Sequence, residues 1–436
     1  MNRTHDPGLA SWVRSAQGSD FPIQNLPFGV FRRRDTNDPA SVGIAIGDQI
    51  VDIGRCAAAG AFRGLSADAV TACSQPSLNS LLAVSGDSRS ALRSQVSEFL
   101  AADSPSYRND PDKASQLLVP MADAEMLLPA EIGDYSDFYA SIHHATNVGR
   151  MFRPDNPLLP NYKWIPIGYH GRASSIVVSG TPVRRPRGQI KGVDKERPEY
   201  TASRSLDYEA EVGCIIAGSN RLGMPIAMES AEEHLFGLVL VNDWSARDIQ
   251  SWEYQPLGPF LAKSFATTIS PWVVTLEALE PYRVPANQRP SGDPEPLPYL
   301  DSRMNRERGG IDVVVEVYLS SRAMRQAGIA PLRVSRSRLA DLYWTLAQMV
   351  THQTSNGCNL RPGDLFASGT ISGPGAEARG CLLERTWRGA EPLTLPSGES
   401  RSFLEDGDEV TLRAYCNRAG AVRIGFGDCR GVIEAA

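Results

Sequence analysis

The sequence predicts a mostly-β, α+β chain, and three observations carry that expectation. Segments of β-branched or alternating character dominate beyond residue 120, at 176–179, 210–216, 238–242, 272–276, 310–319, 408–414 and 420–426. Glycine and proline, 38 and 31 of 436 residues, punctuate the gaps between them. Strands and helices do not alternate regularly, which disfavours a doubly wound parallel sheet and favours a sandwich or roll.

The elements follow in order. Residues 30–33, 42–46 and 49–53 read as short strands of a small N-terminal β-rich unit, with Gly47-Asp48 as the hairpin turn. Helices are expected near 78–84 and 89–102. YRNDPDK, 107–113, reads as a linker, and the unit boundary is set near residue 120, giving units 1–120 and 121–436. In the second unit helices are expected at 136–151, 245–254 and 337–352, the first capped by Asp134 or Ser136 and the second by Ser245.

Bulk composition narrows the function classes. A net charge of −6 gives no support for nucleic-acid binding or an anionic membrane surface. The longest apolar run, 235–241, is far shorter than a membrane span. The N-terminal MNRTHDPGLASW lacks the apolar core of a signal peptide. Seven scattered cysteines without a C-x-x-C pair argue against a disulfide framework and fit a cytoplasmic setting.

The chemistry concentrates in a few stretches. In LDYEAEVG, 206–213, Asp207, Glu209 and Glu211 alternate with apolar residues, so a strand would put all three on one face. Neighbouring carboxylates there would stand about 7 Å apart and repel by roughly 2 kcal/mol at an effective dielectric near 20. A solvated face and a metal site both fit these letters; burial would demand a cation. In IGDYSDFYASIHHATNVG a helix would bring Asp137, Ser141 and His144 onto one face, the acid and imidazole about 10 Å apart. They would flank a small substrate there, or simply form a polar surface. In NDWSARDIQSWEY, Arg247, Gln250 and Tyr254 share a face and would make an oxyanion cradle, or be satisfied by Asp248 and Glu253. Lys263 sits in an apolar and hydroxylic segment, where it either snorkels or finds an acid. Thr370 lies in a Gly-rich turn that is no phosphate loop, and Glu384 follows the apolar Cys381-Leu382-Leu383. No serine-hydrolase elbow, zincin motif or dinucleotide fingerprint occurs. The acids Asp137, Glu209, Glu211 and Asp243 suit a hard cation, Mg²⁺ or Ca²⁺.

Together these stretches, with GYHGRASSIVVSGTPVRRP, WEYQPLGPFLAKSFATTISPW, GCNLRPGDLFASGTISG and GFGDC, resemble the fumarylacetoacetate hydrolase family, densely from about residue 130 onward. The resemblance implies a small SH3-like barrel followed by a larger β-sandwich roll, dimerised through the larger unit. It implies metal-dependent hydrolysis of a carbon–carbon bond in 4-fumarylacetoacetate, a diketo acid, to fumarate and acetoacetate late in tyrosine and phenylalanine breakdown. Carried over residue by residue, it implies Asp137, Glu209, Glu211 and Asp243 as metal ligands, with Lys263 and Thr267 matching a second, structural metal site. His144 becomes the general base and Glu384 its orienting partner. Arg247, Gln250 and Lys263 stabilise developing charge, while Tyr139, Arg153, Tyr169, Gln250, Tyr254 and Thr370 hold substrate. His143 is an unexpected neighbour of His144, and the H-A-T-N pattern selects His144 as the base. An acylpyruvate hydrolase or decarboxylase of the same superfamily, or a non-catalytic metal-binding scaffold, are the competing readings.

Overall fold

The computed structural model describes residues 1–105 and 109–436. Three sheets carry the architecture. The N-terminal unit is a five-stranded antiparallel sheet in the order Leu118–Pro120, Gln49–Asp52, Ser41–Ile46, Phe28–Arg33, Ala124–Leu127. The hairpin at Gly47 turns with positive φ, a conformation glycine adopts without steric cost. The change of unit is expected near residue 120, whereas this sheet takes its last strand from Ala124–Leu127. The expected linker at 107–113 lies partly outside the described residues. Its end is a short helix, Pro111–Ser115, because Asp110 caps it and Pro111 fits its first turn.

The larger unit is built on two sheets. The first runs Gly168–His170, Tyr135–Phe138, Leu365–Ala367, Ala210–Ile216, Leu235–Asp243, Thr267–Ile269, Ile176–Val178, with Val274–Thr275 also paired to Leu235–Asp243. The second runs Leu332–Arg338, Val314–Ser320, Glu409–Cys416, Ile424–Glu434, Val183–Arg184. Their facing sides form the main core. Val212, Cys214, Leu238 and Leu240 from the first sheet belong to the same buried cluster as Val315, Val317, Val410, Leu412 and Phe426 from the second. Burial of each such side chain contributes roughly 1.5–3 kcal/mol.

The opposite side of the first sheet is also covered. Ile215, Phe236, Val239, Val241 and Leu365 cluster with Phe28, Val30, Ile44, Leu82 and Leu92 of the N-terminal unit. The strand Leu235–Asp243 is therefore buried at every position, and its near-continuous apolar run is explained by two covered faces. The same parity that meets the N-terminal unit, at 239 and 241, ends in Asp243. Parity likewise aligns Ile215 with Glu211, and Tyr135 with Asp137. The apolar patch thus runs on into a row of acids along one sheet face.

Three expected helices differ in extent. The segment expected as a helix at 136–151 is a strand at Tyr135–Phe138, and the helix is Ile142–Phe152, capped by Ser141. YSDF pairs on both edges, which outweighs its local preference. Asp137 and His144 are consequently on different elements. The segment at 245–254 begins as a short strand, Ser245–Ala246, paired to Leu206–Asp207, and the helix is Arg247–Glu253. At 337–352, strand Leu332–Arg338 and a helical turn precede the helix Leu346–Thr354, which Thr345 and Gln348 start with a capping box.

Candidate active site

The acids of LDYEAE do not share one continuous strand face. Pairing stops between Leu206–Asp207 and Ala210–Ile216, so Asp207 turns away from Glu211. All three are buried. Glu211 instead meets Asp137 and Asp243: one oxygen from each lies within 4.8 Å of the others. Register explains the convergence. Ala210 opposes Asn242 across the central strands, and Asp137 opposes Ala367, which itself opposes Gly213.

This cluster is short of donors. Neither oxygen of Glu211 and not Oδ1 of Asp137 has a hydrogen-bond partner among the described residues. Tyr169 Oη donates to Asp137 Oδ2 at 3.0 Å and to Asp243 Oδ2 at 2.8 Å. Thr267 Oγ1 donates to Asp243 Oδ1 at 2.9 Å. Burial, then the charge of Asp243, pushes the Asp137 carboxyl well above its usual range; burial, then Asp137, does the same to Glu211. Buried, unpaired, oxygen-only ligands are the donor set of a hard divalent cation, and the three carboxylates fit one.

Beside the cluster lies a chain of alternating charges. Lys263 Nζ bridges Asp243 Oδ2 at 2.7 Å and Glu209 Oε2 at 2.8 Å. Arg247 Nη1 meets Glu209 Oε1 at 2.6 Å, its Nε meets Asp207 Oδ2 at 2.9 Å, and Nη1 also donates to Gln250 Oε1 at 3.2 Å. Lys263 is 6 % exposed, so it finds acids rather than snorkelling to water. Burial opposes charge on Lys263, but Asp243 and Glu209 overcome it and hold the ammonium protonated. Burial likewise would raise Glu209, and Lys263 and Arg247 reverse this and lower it. In this arrangement Lys263 Nζ and the Thr267 hydroxyl hydrogen act as donors to Asp243. Arg247 Nη2 and Thr370 Oγ1 are buried without partners among the described residues, two polar groups still available to a ligand. Thr370 is presented by Gly369, whose φ is +73° and where a Cβ would stand 2.1 Å from Phe138 O; only glycine fits this approach.

The second half of the site is a histidine held by an acid. Glu384, fully buried on the turn Leu382–Arg385, accepts from His144 Nδ1 at 2.6 Å. It also accepts from Asn147 Nδ2 at 2.8 Å, Ser372 Oγ at 2.8 Å and Cys381 Sγ at 3.3 Å. Burial would raise Glu384, yet His144 and these donors hold its pKa below the ordinary value. The acid is an acceptor, so Nδ1 carries the hydrogen and Nε2 is left free as a base. Burial, then Glu384, raises the Cys381 thiol, which donates to the His144–Glu384 dyad. Tyr139 packs edge-on against the imidazole, ring centroids 5.2 Å apart. His143 is not among the donors to Glu384.

Two family models match, "Fumarylacetoacetase N-terminal" over residues 24–129 and "Fumarylacetoacetate (FAA) hydrolase C-terminal" over residues 135–434. The chain belongs to the fumarylacetoacetate hydrolase family. Curated fumarylacetoacetases of rice and human are 47% and 48% identical to it, over 98% and 97% of this chain and 97% and 98% of their own lengths. A solved fumarylacetoacetate hydrolase from Exiguobacterium antarcticum shares the fold at 16% identity and a TM-score of 0.50, covering 94% of this chain and 100% of its own.

Within this family site, Asp137, Glu211 and Asp243 converge, and Glu209, Lys263, Arg247 and Gln250 adjoin them through the contacts above. Arg153 and Tyr254 stand exposed beyond the ends of their helices, and no hydrogen bond among the described residues joins either to the buried groups. Sequence reasoning assigned no role to Asn147, Ser372 or Cys381. Asn147 had a usable signal, since it lies at i+3 from His144. So did Cys381, three residues before Glu384 on the same turn, whereas Ser372 reaches Glu384 only through the tertiary fold.

Proposed function

We propose that the chain hydrolyses the carbon–carbon bond of 4-fumarylacetoacetate, releasing fumarate and acetoacetate at the end of tyrosine and phenylalanine breakdown. The observation that carries this reading is the Glu384-aligned imidazole beside a donor-poor cluster of three carboxylates. Asp137, Glu211 and Asp243, with Glu209, would hold Mg²⁺ or Ca²⁺; Lys263 and Thr267, with Asp243, would adjoin a second, structural ion. When bound, such an ion would supply positive charge that polarises the diketone carbonyls. His144 Nε2 takes a proton from water as its oxygen attacks the carbonyl carbon next to the scissile bond. Glu384 keeps the Nδ1 hydrogen in place and stabilises the imidazolium that results. Charge growing on the carbonyl oxygen is met by Arg247, Gln250 and Lys263 donors set in advance. The carbon–carbon bond then breaks, its electron pair leaves with the acetoacetate carbon, and that carbanion takes up a proton. Tyr139, Tyr169 and Thr370 line the substrate within, with Arg153 and Tyr254 at the rim.

The same reading makes the protein a cytoplasmic homodimer whose second unit, entered beyond the strand Ala124–Leu127, carries the chemistry. No helix among the described residues is long and apolar enough to cross a membrane. The deciding experiment follows the loss of fumarylacetoacetate absorbance with Mg²⁺ or Ca²⁺, with an acylpyruvate as control. Turnover of the former is expected; a clear preference for the acylpyruvate transfers the assignment to the alternative hydrolase.

A further inference from the structure

Asp207 belongs to neither group of functional acids, yet it is fully buried and saturated with donors. Its Oδ1 accepts from Tyr208 N at 2.8 Å and from Leu382 N at 2.7 Å. Its Oδ2 accepts from Leu383 N at 2.9 Å and from Arg247 Nε at 2.9 Å. Leu382 and Leu383 open the turn that carries Glu384, and Arg247 is the cation paired with Glu209. One carboxylate therefore grips the base dyad with one set of donors and the oxyanion cradle with another. Four donors converge on it, so only the ionised form satisfies them all. The pairing of Leu206–Asp207 with Ser245–Ala246 fixes its backbone immediately ahead of Arg247.

We propose that Asp207 is a positioning residue that locks the Glu384 turn and the Arg247 guanidinium into one frame, so that the base and the charge-stabilising donors face the same substrate. Two consequences distinguish this from a merely structural buried acid. Arg247 has one more N–H group, Nη2, buried and without a partner among the described residues, and its aim depends on where Nε is anchored. Glu384 sits one residue beyond the gripped amides, so a shift at Leu382–Leu383 moves the imidazole. A displacement of about 1 Å at either end suffices to cut turnover roughly 100-fold.

This inference rests on the hydrolytic reading for its activity test. Asp207→Asn preserves shape but turns one acceptor into a donor facing a donor. With the metal-loaded enzyme and fumarylacetoacetate, kcat per folded molecule is expected to fall roughly 100-fold, while divalent-ion affinity in calorimetry stays unchanged. Arg247→Gln added to Asp207→Asn is expected to cost far less than it does in the wild type, because its frame is already lost. Unchanged kcat, or strict additivity of the two changes, overturns the proposal. A variant that does not fold is covered by amide exchange on Arg247→Gln: loosening of the Leu382 and Leu383 amides is expected, and exchange at the wild-type rate overturns the tie. A wild-type enzyme inert on fumarylacetoacetate sinks the hydrolytic reading instead, and the exchange result still decides the role of Asp207.

Discussion

Two buried acid sites stand side by side and are opposite in electrostatic finish. At Glu384 a single carboxylate accepts from an imidazole, an amide, a hydroxyl and a thiol, and its proton affinity falls. At Asp137, Glu211 and Asp243 three carboxylates share one phenol, one hydroxyl and one ammonium, and Asp137 and Glu211 hold protons more tightly than usual. Burial penalises charge equally in both places. The difference lies in what the protein itself provides. The first site is complete as folded; the second has the donor deficit that a divalent cation would fill in place of protons. A buried acid's role is therefore legible from its surplus or deficit of donors.

The largest effect expected from breaking this contrast is at the finished site. His144→Ala should lower kcat by roughly 100- to 10,000-fold, with folding by circular dichroism and metal affinity by calorimetry both retained. Near-normal turnover would remove His144 from the role of base. Next comes the unfinished site. Glu211→Gln should weaken Mg²⁺ or Ca²⁺ binding at least about tenfold. A variant that binds the ion as tightly as the wild type would contradict the ligand set.

The two sites also answer pH with opposite signs. Asp137 and Glu211 have raised folded-state pKa values, so their contribution to metal-free stability is full below about pH 4 and is lost as pH rises through those values. Glu209 and Glu384 have lowered values, so theirs is full above about pH 4.5 and is lost as pH falls. Ion binding should therefore release protons, measurable as buffer-dependent heats, and the melting-temperature gap between loaded and metal-free protein should widen with pH. A gap independent of pH would show that Asp137 and Glu211 are already ionised in the metal-free protein. The smallest effect is expected from Cys381→Ala, which removes one weak donor of four: about tenfold or less in kcat, with the pH profile shifted through Glu384. A larger loss would mean the thiol does more than donate.

Much of this was legible in the letters, for physical reasons. The strand Leu235–Asp243 is apolar on both parities because two cores cover it, and the acids at the ends of such strands read as a cluster. Lys263 in an apolar setting signals a buried partner, which Asp243 and Glu209 supply. Less was legible where pairing overrides local preference. Asp137 and His144 look like one helix face, but YSDF is held between two strand neighbours and Ser141 starts the helix later. Asp207 looks like a third metal acid, until the strand breaks at Tyr208 and sends it to Arg247. The donors around Glu384 come from positions 144, 147, 372 and 381, and no local pattern brings the first three to it.

The double cladding of the central sheet has a further bearing on how the molecule tolerates damage. Phe236, Val239, Val241, Ile215 and Leu365 cluster with many side chains from the first hundred or so residues, so removing that segment would lay bare a broad oily wall rather than liberate a smaller working enzyme. Lesions far from the chemistry, at Phe28 or Ile44 for instance, should consequently show up as insoluble or short-lived protein, with the surviving molecules turning over normally.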